Sequence, residues 1–144
     1  MKIGELAQVA KCTVETVRYY EKAGLLPAPA RTAVNYRSYG SAHVERLRFI
    51  RNCRALDMTH EEIHTLLGLM EHPAGGCGAV NQLLDEHITH VDVRIAELSQ
   101  LKQQLSELRQ CCQSEQAVDA CGILQGLASM ETAPRHERHT HLGR

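Results

Sequence analysis

From Cys77 to Cys112 the chain runs without a proline, and without a glycine after Gly78. Across this stretch apolar residues fall at Leu84, Ile88, Val91, Ile95, Leu98, Leu101, Leu105 and Leu108, in steps of 4, 3, 4, 3, 3, 4 and 3. Steps of three and four keep side chains on one helical face. The stretch therefore predicts one long helix with a coiled-coil seam and a single short step at Leu98 to Leu101. Asp85, Glu86, Asp92, Arg94, Glu97, Lys102, Glu107 and Arg109 take the other face. A helix that is apolar along one stripe must bury that stripe against a partner. An intrachain hairpin would supply one, but no second segment of comparable length exists in the sequence. A homodimer through this helix, antiparallel or parallel, is the expectation.

Cysteines bound the stretch. At a rise of about 1.5 Å per residue, Cys77 and Cys112 stand roughly 50 Å apart on a continuous helix, too far to share a metal or a disulfide within one chain. If two such helices run antiparallel, Cys77 of one chain lies beside Cys112 of the partner subunit. Cys121 can then fold back from the loop that follows. Such a dimer holds two equivalent three-thiolate sites, each spanning the interface.

Charge is divided along the chain. Residues 1–55 hold ten Lys and Arg against four Asp and Glu, whereas residues 56–144 hold six against thirteen. The net charge of −1 thus hides a basic head on an acidic body, the distribution expected where one end meets nucleic acid. One Phe, four Tyr and no Trp leave the cores aliphatic. No apolar run approaches a membrane span, and MKIGELAQVA lacks the apolar centre of a secretory leader, so a soluble cytoplasmic protein with no membrane partner is expected. In that reducing compartment six cysteines read as thiols or metal ligands, not as a disulfide framework. There is no CxxC and no βαβ pattern, which argues against a thiol oxidoreductase, and no enzyme is expected.

Ile3 to Val9 reads as a short helix, followed by a break at Lys11-Cys12. Thr13 is placed to cap a second helix from Val14 to about Lys22, which Ala23-Gly24 ends with glycine in the left-handed position. Two short helices across a tight turn predict a helix-turn-helix, whose second helix can enter a major groove. On topology alone any small helical hairpin would also fit. Asn35-Tyr36-Arg37-Ser38-Tyr39 then reads as a short extended wing, with tyrosine hydroxyls and an arginine suited to phosphates. Ser41 is expected to cap a helix from about His43 to Ala55. Its arginines, Arg46, Arg48, Arg51 and Arg54, read as solvated charge with one or two in reach of DNA backbone. Thr59-His60-Glu61-Glu62 is a capping box opening a helix that stops before Pro73. Beyond Cys112 a polar loop leads to Cys121, and Ile123, Leu124 and Leu127 predict a last helical turn. Residues from about 131 onward read as a flexible tail holding His136, His139 and His141.

The motifs IGELAQVAKCTVETVRYYEKAGLLPAPAR, NYRSY and HVERLRFIRNCRALDMTHEEI, followed by the long helix, make the chain resemble the MerR family of transcription regulators over about residues 1–127. The resemblance implies a mainly α fold in which residues 1–71 form a winged helix-turn-helix head. It also implies an antiparallel coiled-coil dimerisation helix over 77–112, a metal-binding loop and short helix over 112–130, and a tail over 131–144. It implies promoter DNA, RNA polymerase and a second copy of the chain as partners. The apo form would repress, and the metal-bound form would activate by distorting an overlong promoter spacer. Thr13, Val14, Thr16, Arg18 and Tyr19 are the expected major-groove residues. Tyr36, Arg37 and Tyr39 are the expected backbone contacts.

Cys77, Cys112 and Cys121, spaced 35 and 9 apart, are similar to the ligand pattern of members that sense large soft divalent ions. Members sensing copper or silver lack the first cysteine, the oxidative-stress branch needs four clustered cysteines, and the drug-sensing branch carries a larger C-terminal domain. VERLRFIRNCRALDM and the CG-VN-LLDEHI pattern around Cys77 resemble the cadmium- and lead-responsive group most closely. Three thiolates prefer polarisable ions, so Cd(II) or Pb(II) is the expected inducer, with Hg(II) or Zn(II) as alternatives. A cytosolic thiolate metal buffer is the rival class, although it would need no DNA-binding head. Cys12 and Cys53 read as small core residues and Cys111 as a bystander pointing away from Cys112. His87 and His90, three apart on one helix face, and the tail histidines could form a second metal site.

Overall fold

The structure, a computed structural model, describes residues 1–132. The tail histidines His136, His139 and His141 lie outside the described residues. The chain divides into two compact units, Met1–Leu84 and a second from Asp85 onward. The first holds α1 (Ile3–Val9), α2 (Val14–Lys22), a hairpin of β1 (Ala30–Arg31) and β2 (Arg37–Ser38), α3 (Ser41–Ala55) and α4 (His60–Met70). It also takes in the start of α5 (Gly78–Arg109), within which the division falls. The second holds the rest of α5, a 3-10 turn at Val118–Ala120 and α6 (Gly122–Ser129).

The head packs around an aliphatic centre. Leu6 of α1, Val17 of α2, Leu47 and Ile50 of α3 and Ile63 of α4 are fully buried, together with Leu25 from the turn after α2. Each such side chain contributes about 1.5–3 kcal/mol on leaving water. Leu83, from the second turn of α5, closes the same core. Thr13 caps α2 by accepting from the Thr16 N–H at 3.1 Å. The Thr59 box forms in both directions, with Glu62 N–H on Thr59 Oγ1 at 3.1 Å and Thr59 N–H on Glu62 Oε1 at 2.9 Å. Ser41 does not cap α3. It is the first helical residue, the cap is Gly40, and His43 Nδ1 accepts from the Gly40 N–H at 3.1 Å.

Three helices stop in the same way. After α1, α2 and α3 the chain turns through Lys11, Gly24 and Asp57, with φ of 57°, 77° and 59°. In each turn the next N–H reaches back five residues: Cys12 to Ala7 O, Leu25 to Tyr20 O, and Met58 to Cys53 O, at 2.9, 3.0 and 3.1 Å. This is the Schellman arrangement, and the residue after each left-handed position drops its side chain toward the core. The α3 arginines then serve the turns. Arg51 donates to Ala10 O at 2.7 Å, Arg46 to Leu25 O at 3.3 Å and Arg54 to Met58 O at 2.5 Å. Three residues that read as surface or DNA-facing charge therefore fasten the head's own main chain.

The long helix behaves differently. In the single chain Ile88, Ile95, Leu98, Leu101 and Leu105 are 42–58% exposed, so most of the predicted seam lies bare. The helix begins at Gly78 and ends at Arg109, leaving Cys77, Cys111 and Cys112 in the flanking turns. The polar stretch after it is not a plain loop: a 3-10 turn precedes Cys121, and the last element runs for eight residues.

Replacing Arg51 with methionine keeps the stem but withdraws a charged donor from Ala10 O. It should lower stability in urea unfolding by about 1–3 kcal/mol. Thr59→Ala, which removes one helix cap, should cost about 1 kcal/mol in the same experiment.

Candidate DNA-binding face and thiol centre

Helix α2 presents Arg18 and Tyr19 outward while Val17 and Tyr20 hold it to the core. Thr13 and Thr16 pair their hydroxyls at 2.8 Å at the start of the helix, and Val14 is half-buried against the core. The hairpin lies beside this helix. β1 and β2 pair antiparallel with Ala30 opposite Ser38 and Arg31 opposite Arg37. Its turn is closed by Thr32 N–H on Tyr36 O at 2.8 Å and by Asn35 at φ 67°. Tyr36 is 68% exposed at the hairpin's end.

Between α2 and the wing lies an open cleft of about 780 Å³ lined by Lys2, Ile3, Arg18, Glu21, Lys22, Tyr36 and Arg37. Four cations and a phenol around one shallow groove make a surface for a polyanion. Lys2 and Lys22 were not singled out in the sequence, because single charges outside a cluster read as solvated surface. Glu21 was missed for the same reason, yet it ties the wing to α2. Its carboxylate takes Arg37 at 3.2 Å and accepts a short hydrogen bond from the Tyr39 hydroxyl. Tyr39 is therefore not a surface phosphate contact. It is buried, and burial, with the bond to Glu21, raises its phenol above the usual range.

The thiols sort by environment. Burial pushes Cys12 upward against the pull of Arg51, and burial alone raises Cys53, so both stay protonated as core residues. Cys121 is moved the other way. It is the N-cap of α6, and the N–H groups of Leu124 and Ile123 face its sulfur. They hold it below the usual cysteine range against the opposing effect of burial, with the Cys112 thiol adding the least. Cys112 and Cys121 thus meet, nine residues apart in sequence, as the loop closes on the end of α5. The turn is held by Arg109 donating to Cys112 O at 2.6 Å. Cys111 turns away and its thiol points back at Glu107 O at 3.7 Å.

Cys77 is exposed just before α5, with the Asn81 amide 4.0 Å from its sulfur. It borders an apolar cup of about 310 Å³ whose walls include Phe49, Leu66, Met70 and Val80. His87 is buried and His90 exposed on α5. Cys77, Cys112 and Cys121 each offer sulfur, the donor type that soft divalent ions prefer.

A basic helix-turn-helix face and a thiol centre together define a transcription regulator that responds to metal. The chain matches the MerR HTH family regulatory protein model over residues 1–69 and the "MerR, DNA binding" model over residues 44–108, and it belongs to the MerR family. It is 49% identical over 110 residues to the HTH-type transcriptional regulator ZntR homolog of Haemophilus influenzae, covering 76% of this chain and 82% of that one. It is 35% identical over 128 residues to ZntR of Escherichia coli, with 88% and 91% covered. Among solved structures, the transcription regulator PbrR691 from Ralstonia metallidurans CH34 in complex with lead(II) is similar at a TM-score of 0.80 and 50% identity. That match covers 88% of this chain and 98% of PbrR691. MerR regulators bind promoter DNA as homodimers, and these relatives are regulators, not enzymes. No helix among the described residues is long and apolar enough to cross a membrane.

Gly122 lies tight against the end of α5. A Cβ there would fall inside the van der Waals radius of Cys111 O. Gly122→Ala should therefore move α6 off the end of α5 and weaken metal binding, while leaving operator affinity of the apo protein unchanged. Metal titration alongside a mobility-shift assay reads both.

Proposed function

We propose that this chain is a lead- or cadmium-responsive MerR regulator that represses a metal-resistance promoter when apo and activates it when metal-bound. It would act in the cytoplasm, where promoter and polymerase are. The meeting of the Cys112 and Cys121 thiols at the N-terminus of α6 carries this reading, and the lead(II) complex of a 50% identical neighbour supports it. Residues 1–71 would bind DNA, 77–112 dimerise and 112–130 carry the thiol loop. Mercury and zinc are the rival inducers, and competitive titration of the purified dimer with the four ions separates them.

In this reading Thr13, Val14, Thr16, Arg18 and Tyr19 face the major groove and Tyr36 and Arg37 hold backbone, joined by Lys2 and Lys22. Cys77 of one chain, the partner's Cys112 and the partner's Cys121 hold the ion. A bound soft ion would supply affinity for these sulfurs together. The N–H groups at the start of α6 lower the proton affinity of Cys121, and the Asn81 amide stands against Cys77. Cys77 lies directly before the dimerisation helix, so engaging it favours one arrangement of the heads over others, the differential interaction any population shift requires. His87, His90 and the tail histidines would form at most an auxiliary site.

Arg18→Ala should lose discrimination between operator and mismatched duplexes, at a cost of about 1–3 kcal/mol. Tyr36→Phe should weaken binding to every duplex alike. Both are read by anisotropy titration on a panel of sequences, and wild-type behaviour of the pair would remove the assigned face.

Mixed dimers test the thiol site. A Cys77→Ser chain paired with a Cys112→Ser/Cys121→Ser chain should retain one complete site and bind one lead or cadmium ion tightly. Loss of all tight binding would refute ligands that cross the interface.

A further inference from the structure

His60 is the first residue of α4, directly after the Thr59 cap. Its ring lies 5.4 Å from that of Tyr19 and 6.2 Å from that of Tyr20, and the two tyrosine rings stand 5.6 Å apart. Three rings therefore join α2 to α4. Tyr20 is the buried member, whereas Tyr19 is 54% exposed on the face that carries Arg18. His60 Nδ1 stands 3.4 Å from the Tyr19 hydroxyl. A phenol this exposed would ordinarily sample several rotamers. Here its ring is flanked by two others and its oxygen meets a titratable nitrogen from another helix.

We propose that His60 is a positioning residue for operator binding: through Nδ1 it holds the Tyr19 hydroxyl in the orientation from which α2 offers it to an acceptor oxygen of the DNA. This rests on the reading of Tyr19 as a DNA contact. The proton state of His60 decides which way the bond points. A neutral ring with its hydrogen on Nε2 accepts the phenolic proton, leaving lone pairs to face the DNA oxygen. A protonated ring donates from Nδ1 and frees the phenolic proton for DNA.

The surroundings set when this happens. Burial, then Arg54 of α3 and His64 of α4, hold His60 below its usual range. Tyr19 and Tyr20 face it from α2, and Glu61 and Glu62 follow it in the same first turn. The free protein therefore carries it neutral near pH 7. An approaching DNA oxygen raises its proton affinity, so binding takes up a proton and operator affinity rises as pH falls.

The test is a double-mutant cycle on the full-length dimer, read by anisotropy with a promoter duplex at about pH 6 and about pH 8, bracketing the histidine range. Circular dichroism confirms that each variant is folded. Near the lower pH, Tyr19→Phe and His60→Phe should each weaken binding roughly three- to tenfold, the worth of one net hydrogen bond. The double variant should be no weaker than the weaker single one. Wild type should gain more affinity on acidification than either single variant. His60→Gln, which can still hydrogen-bond the phenol but does not titrate, should recover affinity without recovering the pH response. Multiplying effects in the double variant, or a His60→Phe protein with the wild-type affinity and pH profile, would overturn the proposal. If Tyr19→Phe is silent while Arg18→Ala still loses the operator, the positioning role fails and the DNA-binding face stands. If Arg18→Ala and Tyr36→Phe are silent too, the face itself is misassigned.

Discussion

A helix that stops leaves carbonyls without partners, and the head stops three helices around one small core. Its architecture depends on how those carbonyls are satisfied. Left-handed turns at Lys11, Gly24 and Asp57 return two N–H groups each, and three guanidiniums from α3 serve carbonyls in the same turns. His64 adds a fourth side-chain contact, to Ala23 O at 3.0 Å. Helix α3 is thus more than a packing element: its buried side holds the core and its polar side holds the turns. Two of the three left-handed positions are not glycine, and each costs roughly 1–2 kcal/mol of backbone strain that the added hydrogen bonds offset.

The second unit solves a different problem. Its long helix leaves a row of leucines and isoleucines about half exposed, an arrangement that is stable only when another apolar stripe covers it. Were a second copy to cover it, folding of this unit would be coupled to association, and stability would depend on protein concentration.

Much of this was legible in sequence because the signals were local. The bounds of α1 and α2, the Thr59 capping box, Gly24 and the exposed seam of α5 all follow from patterns spanning a few residues. What escaped was non-local. Nothing in RYYEK announces that Glu21 will hold Arg37 and Tyr39, so Tyr39 read as a DNA contact when it is a buried anchor for the wing. The arginines of α3 read as charge because their carbonyl partners lie up to 41 residues away. Ser41 read as a cap because serine prefers that position, but the extended residue before the helix is Gly40. At the thiol centre, spacing and family pattern point to Cys112 and Cys121, whereas only the fold brings the N-terminus of α6 to Cys121.

Gly122 reaches further than its own turn. Since hydrogen is the only side chain tolerated against Cys111 O, the start of α6 approaches the end of α5 main chain against main chain, with no side chain as a spacer. Selection cannot adjust that gap by small changes of residue volume at this point. The remaining freedom lies in the length and conformation of the segment joining the two cysteines. Any ion size preference in such a loop would be tuned in that segment and not at Gly122.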